Sequence, residues 1–116
     1  MADMGYLPIG SEVVISFSAD DHNGDTVLRT SFKPDAGQDH SIKIPPGLRD
    51  AITLNNLPAT EKLHIHVDLP AFGSGVLTVT VDGVVKDTEP IESDTNWDYL
   101  LVHAGAPELL ATDEED

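Results

Sequence analysis

Between Lys62 and Leu69 apolar and polar residues alternate without a break, so that Leu63, Ile65, Val67 and Leu69 share one side of an extended chain and His64, His66 and Asp68 the other. A period of two means a strand with one packed and one wet face. No long 3.6-residue periodicity appears anywhere in the 116 residues. The chain must therefore fold by stacking short strands. Glu12 to Ser18, with Val13, Ile15 and Phe17, reads as one of them, and Thr26 to Phe32 resumes the alternation through Val27, Leu28 and Phe32. Shorter runs follow around Ile42 and Ile44 and over Ala51 to Leu54, then Val76 to Val81, Val84 to Lys86 and Trp97 to His103. Turn formers separate them. Asp20 to Asp25 predicts a hairpin between its flanking strands, and Asp82-Gly83 supplies the positive φ values of a two-residue type I′ turn. At Pro45-Pro46-Gly47 the two prolines fix φ and remove two donors, which stops the strand ending at Ile44, while Gly47 closes the corner. Asp87 to Asn96 reads as an acidic loop.

This pattern predicts an all-β protein, a small antiparallel β-sandwich of about seven or eight short strands spanning residues 1–104. Its core rests on Val, Ile and Leu, with Phe17, Phe32, Phe72 and Trp97 as the bulky pieces. Residues 105–116 read as a flexible acidic tail in which Pro107 to Ala111 allows a single helical turn.

Six Lys and Arg stand against twenty-one Asp and Glu, a formal net charge of −15. Such a surface repels phosphate backbones and anionic lipid, so direct nucleic-acid or membrane binding is not expected, whereas a basic protein or peptide is a suitable partner. The chain has no cysteine, which excludes disulfides, zinc-thiolate sites and thiol nucleophiles. The first residues lack the features of an export signal, and no stretch approaches the roughly 18 apolar residues of a membrane span. A soluble cytoplasmic protein is the expectation.

Three constellations suggest chemistry. Asp21, Asn23 and Asp25 have the i, i+2, i+4 opening of a calcium loop, but Thr26 stands where the turn needs glycine and Phe32 where it needs a bidentate Glu. An Asx-rich turn accounts for them as well. His64 and His66 alternate on one strand face and could place two imidazoles on a zinc or copper ion if His22, His40, His103 or Asp68 supplied a third ligand; solvated polar positions are the plain alternative. Trp97 and Tyr99, two apart, could form a sugar-stacking platform or the edge of the core. No nucleophile elbow, phosphate-cradling loop or triad spacing appears, so neither an enzyme nor a bound cofactor is expected.

The segment Ser41-Ile-Lys-Ile-Pro-Pro-Gly-Leu-Arg-Asp-Ala-Ile-Thr-Leu54 resembles the stretch of the C-terminal substrate-binding domains of DnaJ-type co-chaperones that runs isoleucine, two prolines, glycine, a variable pair and a leucine-bearing strand. Ile15-Ser-Phe-Ser-Ala-Asp-Asp-His-Asn-Gly24 upstream, and Leu63-His-Ile-His-Val-Asp-Leu-Pro70 with Phe72 downstream, follow in the family's order, and the likeness covers residues 12–72. Ala51 stands where the family usually has glycine, and the J domain, His-Pro-Asp loop and cysteine-rich zinc region have no counterpart here. The resemblance implies a two-sheet domain that holds an extended peptide against a sheet edge, with Ile42, Ile44 and Leu54 as apolar contacts in a shallow groove. The leading expectation is a non-catalytic, chaperone-like protein- or peptide-binding module. A carbohydrate- or calcium-binding sandwich, or an acidic decoy of a nucleic-acid-binding protein, are the alternatives.

Overall fold

The computed structural model describes residues 2–21, 24–34 and 37–103, and these form nine strands and no helix. The strands are β1 (Ala2–Pro8), β2 (Val13–Ala19), β3 (Thr26–Lys33), β4 (His40–Ile44), β5 (Arg49–Leu54), β6 (Lys62–Asp68), β7 (Gly75–Val81), β8 (Val84–Ile91) and β9 (Thr95–Val102). Two sheets pack face to face, a five-stranded one in the order β1-β9-β6-β3-β4 and a four-stranded one in the order β5-β2-β7-β8. The all-β sandwich follows directly from the alternation. Val13, Ile15 and Phe17 on β2, Leu63, Ile65 and Val67 on β6, Leu77 and Val79 on β7, and Trp97, Tyr99 and Leu101 on β9 meet between the sheets. The expected residues 105–116, with the Pro107 to Ala111 turn, lie outside the described residues.

Several expectations change. The segment Asp20 to Asp25 does not make a hairpin, because β2 is already flanked by β5 and β7 and has no free edge for β3. The chain instead crosses there to the other sheet, and it crosses again through the Pro-Pro-Gly corner between β4 and β5. β1 has no counterpart in the alternation pattern: its register is irregular between Asp3 and Gly5, and it pairs in parallel with β9, in contrast to the antiparallel pairing of every other described neighbour. Much of the acidic run 87–96 is strand, since β8 continues to Ile91 and β9 begins at Thr95. As an edge strand, β8 can keep Asp87 half-exposed, where its carboxylate accepts a 2.6 Å hydrogen bond from the buried Tyr99 hydroxyl and ties the two sheets together. Burial, then the Asp87 hydrogen bond and the nearby Asp87 and Glu89 charges, push the Tyr99 phenol far above its ordinary range. Phe72, expected in the core, is fully exposed.

Asp82 and Gly83 take φ values of 48° and 84°, as the β7–β8 hairpin requires. Gly75 opens β7 where a side chain has no room: a Cβ would lie 2.3 Å from Phe17 Cζ and 2.4 Å from the Ser18 carbonyl oxygen. Gly75→Ala should therefore cost about 2 to 3 kcal/mol, read from chemical denaturation. On β3 the inward positions are Thr26, Leu28, Thr30 and Phe32, with Val27 turned outward, and neither the Thr26 nor the Thr30 hydroxyl has a hydrogen-bond partner. A buried hydroxyl without a partner is destabilising relative to a methyl of the same shape. Thr30→Val should raise stability by about 1 kcal/mol in the same measurement.

Candidate protein-docking site

The strand directions bring four crossings between the sheets to one end of the sandwich: residues 20–25, 45–48, 69–74 and 92–94. Asp20 binds three of these segments together. Its amide donates to the Ser74 carbonyl at 3.0 Å, its own carbonyl accepts from the Gly47 amide at 3.2 Å, and its carboxylate accepts from the Ser74 hydroxyl at 2.6 Å. Beside it the Ala19 amide donates to the Leu48 carbonyl at 2.9 Å, and the Leu69 amide donates to the Asp94 carboxylate at 2.8 Å. Gly24 packs so closely on Pro70 that a Cβ there would come within 2.9 Å of the proline ring. The crossings thus form one cross-braced platform.

Two large apolar side chains project from it. Leu48, at the end of the Pro-Pro-Gly corner, is 56% exposed, and Phe72 is 100% exposed. The turn that carries Phe72 is closed by the Gly73 amide donating to the Pro70 carbonyl at 2.8 Å, and it holds Phe72 at a φ of 61°. That left-handed conformation costs an L-residue with a Cβ about 1 kcal/mol or more. Asp20, Asp21, Asp25, Glu92 and Asp94 lie on the same crossing segments, whose described residues include no Lys or Arg. The apolar pair is therefore set in a field of negative charge.

Neither Leu48 nor Phe72 is among the site residues that the sequence suggests, and most of those fall elsewhere. Ile44 and Leu54 are buried in the core and Ile42 packs partly against it, because all three point inward on their strands, so they do not line a surface groove. Trp97, 8% exposed, and Tyr99, fully buried, face the opposing sheet and leave no stacking platform at the surface. Asp21 and Asp25 are exposed, while Asn23 lies outside the described residues, and among the described residues no group of three or more His, Asp or Glu is placed to hold a metal ion. No described helix is long and apolar enough to cross a membrane.

His64 and His66 sit on the outer face of the five-stranded sheet and turn to β9 rather than toward a shared ion. His64 Nδ1 lies 2.6 Å from Asp98 Oδ1 and its Nε2 3.1 Å from Asn96 Oδ1, which His66 Nδ1 also approaches at 2.7 Å. Lys62 Nζ adds a 3.4 Å ion pair to Asp98. Asn96 and Asp98 carry no signal of this in the sequence, since the register that sets them opposite His66 and His64 is a product of the sheet. Burial pushes the Asp98 carboxyl up, but the hydrogen bonds and charges of His64 and Lys62 outweigh it and hold the group below its ordinary value. A depressed carboxyl contributes stability above its unfolded value of about 3.9, lost as pH falls through the folded value. Asp98→Asn should accordingly cost about 1 to 2 kcal/mol at pH 7, with the deficit shrinking as pH falls below about 4, as urea denaturation at several pH values would show.

No family model matches the chain, and no curated protein or solved structure matches it.

Proposed function

We propose that the protein is a non-catalytic, protein-binding β-sandwich that docks through its crossing end, with Phe72 and Leu48 as apolar anchors and the surrounding carboxylates selecting a basic polypeptide. The exposed Phe72 ring, held at a φ of 61°, carries the reading. Within the chain this residue is unfavourable twice over: its backbone is strained, and a ring whose burial would be worth about 2 to 3 kcal/mol stays in water. A partner with an apolar pocket recovers that burial, and the braced platform presents the ring with little further loss of freedom. An apolar centre within a charged rim is the usual anatomy of a protein interface, and the five acids of the crossing segments would speed and orient the approach of a cationic segment. The resemblance of residues 12–72 to the DnaJ-type substrate-binding domains supports a polypeptide as ligand, though through the end of the sandwich and not through Ile42, Ile44 and Leu54. A chain without cysteine suits a reducing compartment such as the cytoplasm.

Titration with a panel of Lys- and Leu-containing peptides, followed by amide chemical shifts, provides the test. Shifts should centre on residues 45–48 and 70–74 and weaken as salt rises. Phe72→Gly should raise folding stability by about 1 kcal/mol while reducing affinity by about tenfold or more. Unchanged affinity in Phe72→Gly, or shifts confined to other surfaces, would refute the assignment.

A further inference from the structure

The outward faces of β9, β6, β3 and β4 hold four of the six Lys and Arg in the chain, Arg29, Lys33, Lys43 and Lys62, against two of its twenty-one acids, Asp68 and Asp98. Asp98 is already engaged by Lys62 and His64. Among the described residues no carboxylate lies within ion-pair reach of Arg29, Lys33 or Lys43, although acids outnumber bases more than three to one. The register makes the arrangement more unusual still, because Lys33 stands directly opposite Lys62. Like charges facing each other across a strand pair are destabilising, so folding stability does not explain the pattern. Arg29, Lys33 and Lys43 are all exposed on a protein of net charge −15, so the face is open to negative charge from another molecule.

We infer that the outer face of the five-stranded sheet binds an acidic polypeptide segment, with Arg29, Lys33, Lys43 and Lys62 as its cationic contacts. Arg29 and Lys33 stand four residues apart on β3, about 13 Å, a span that an extended chain rising about 3.3 Å per residue matches with carboxylates four positions apart. A nucleic-acid backbone fits less well, since the acids of the crossing end flank this face and a long polyanion would run into them. The surface is separate from the Phe72 platform and opposite to it in sign.

The decisive measurement is a titration of the intact protein with a short peptide of alternating Glu and Gly, in parallel with a single strand of thymidine nucleotides of equal charge and with a Lys-Gly peptide, followed by amide shifts at low salt. The Glu peptide should give saturable shifts at the outward positions of β3, β4 and β6. The doubly substituted Arg29→Glu, Lys33→Glu protein should lose about tenfold or more in affinity while melting no lower than the parent, because the exposed Lys33–Lys62 repulsion is removed. Absence of saturable shifts with the Glu peptide, tighter binding of the thymidine strand, or equal affinity in the double variant would each overturn the inference. Shifts caused by the Lys-Gly peptide at residues 45–48 and 70–74 bear only on the crossing end, so the two surfaces stand or fall separately.

Discussion

Two stacked sheets share no ladder hydrogen bonds, so their mutual position depends on side-chain packing and on the segments that pass from one to the other. Asp20 is where those segments are joined, through backbone bonds to Gly47 and Ser74 and a carboxylate bond to the Ser74 hydroxyl. Around this residue the exit of β2, the Pro-Pro-Gly corner and the β6–β7 turn become one unit, and the Leu69–Asp94 bond adds the fourth crossing. At the far side of the core the Tyr99–Asp87 bond fastens β9 to the edge strand β8. A fold braced in this way can hold an unfavourable residue at its tip. Phe72 keeps its left-handed backbone because the turn around it is closed and supported, not because its ring finds any contact.

Net charge alone would describe the surface as uniformly acidic, and the arrangement is otherwise. Carboxylates gather at the crossing end and along the β8 edge, whereas the outward side chains of β2 and β7, namely Val14, Ser16, Ser18, Val76, Thr78 and Thr80, carry no charge. The outer face of the five-stranded sheet collects the bases. Electrostatic complementarity acts mainly on encounter and orientation, so an acidic end and a basic face on one molecule would attract and orient oppositely charged ligands at different places. The Lys62–Asp98–His64 group lies within that basic face and fixes β6 against β9, linking the charge pattern to the integrity of the sheet.

Where the sequence was legible, a local property decided the outcome. Leu63, Ile65 and Val67 alternate with polar neighbours and point inward; Asp82-Gly83 turns because those residues tolerate positive φ; Pro45 and Pro46 end β4. Failures share the opposite character. Asp20 to Asp25 has the composition of a hairpin turn, yet the flanking strands lie in different sheets because β5 and β7 already occupy both edges of β2. β1 has no local signature, because Gly5 and Pro8 interrupt its alternation and the partner that orders it among the described residues, β9, is distant in sequence. Phe72 was legible only as an apolar residue in a turn bounded by Pro70 and Gly73, a position that says nothing of whether the ring tucks under or projects.

Sequence by itself determined the class of fold, the inward and outward sides of most strands, the β7–β8 hairpin and the place of the Pro-Pro-Gly corner, since each depends on residues within a few positions of one another. Tertiary structure alone decided which sheet each strand joined, that Ile44, Leu54, Trp97 and Tyr99 were covered while Phe72 was not, and that four dispersed cations shared one face. Alternation tells a strand which of its sides is apolar. Which strands lie beside it, and which side a second sheet covers, is settled by contacts between residues far apart in the chain, and those the local pattern does not contain.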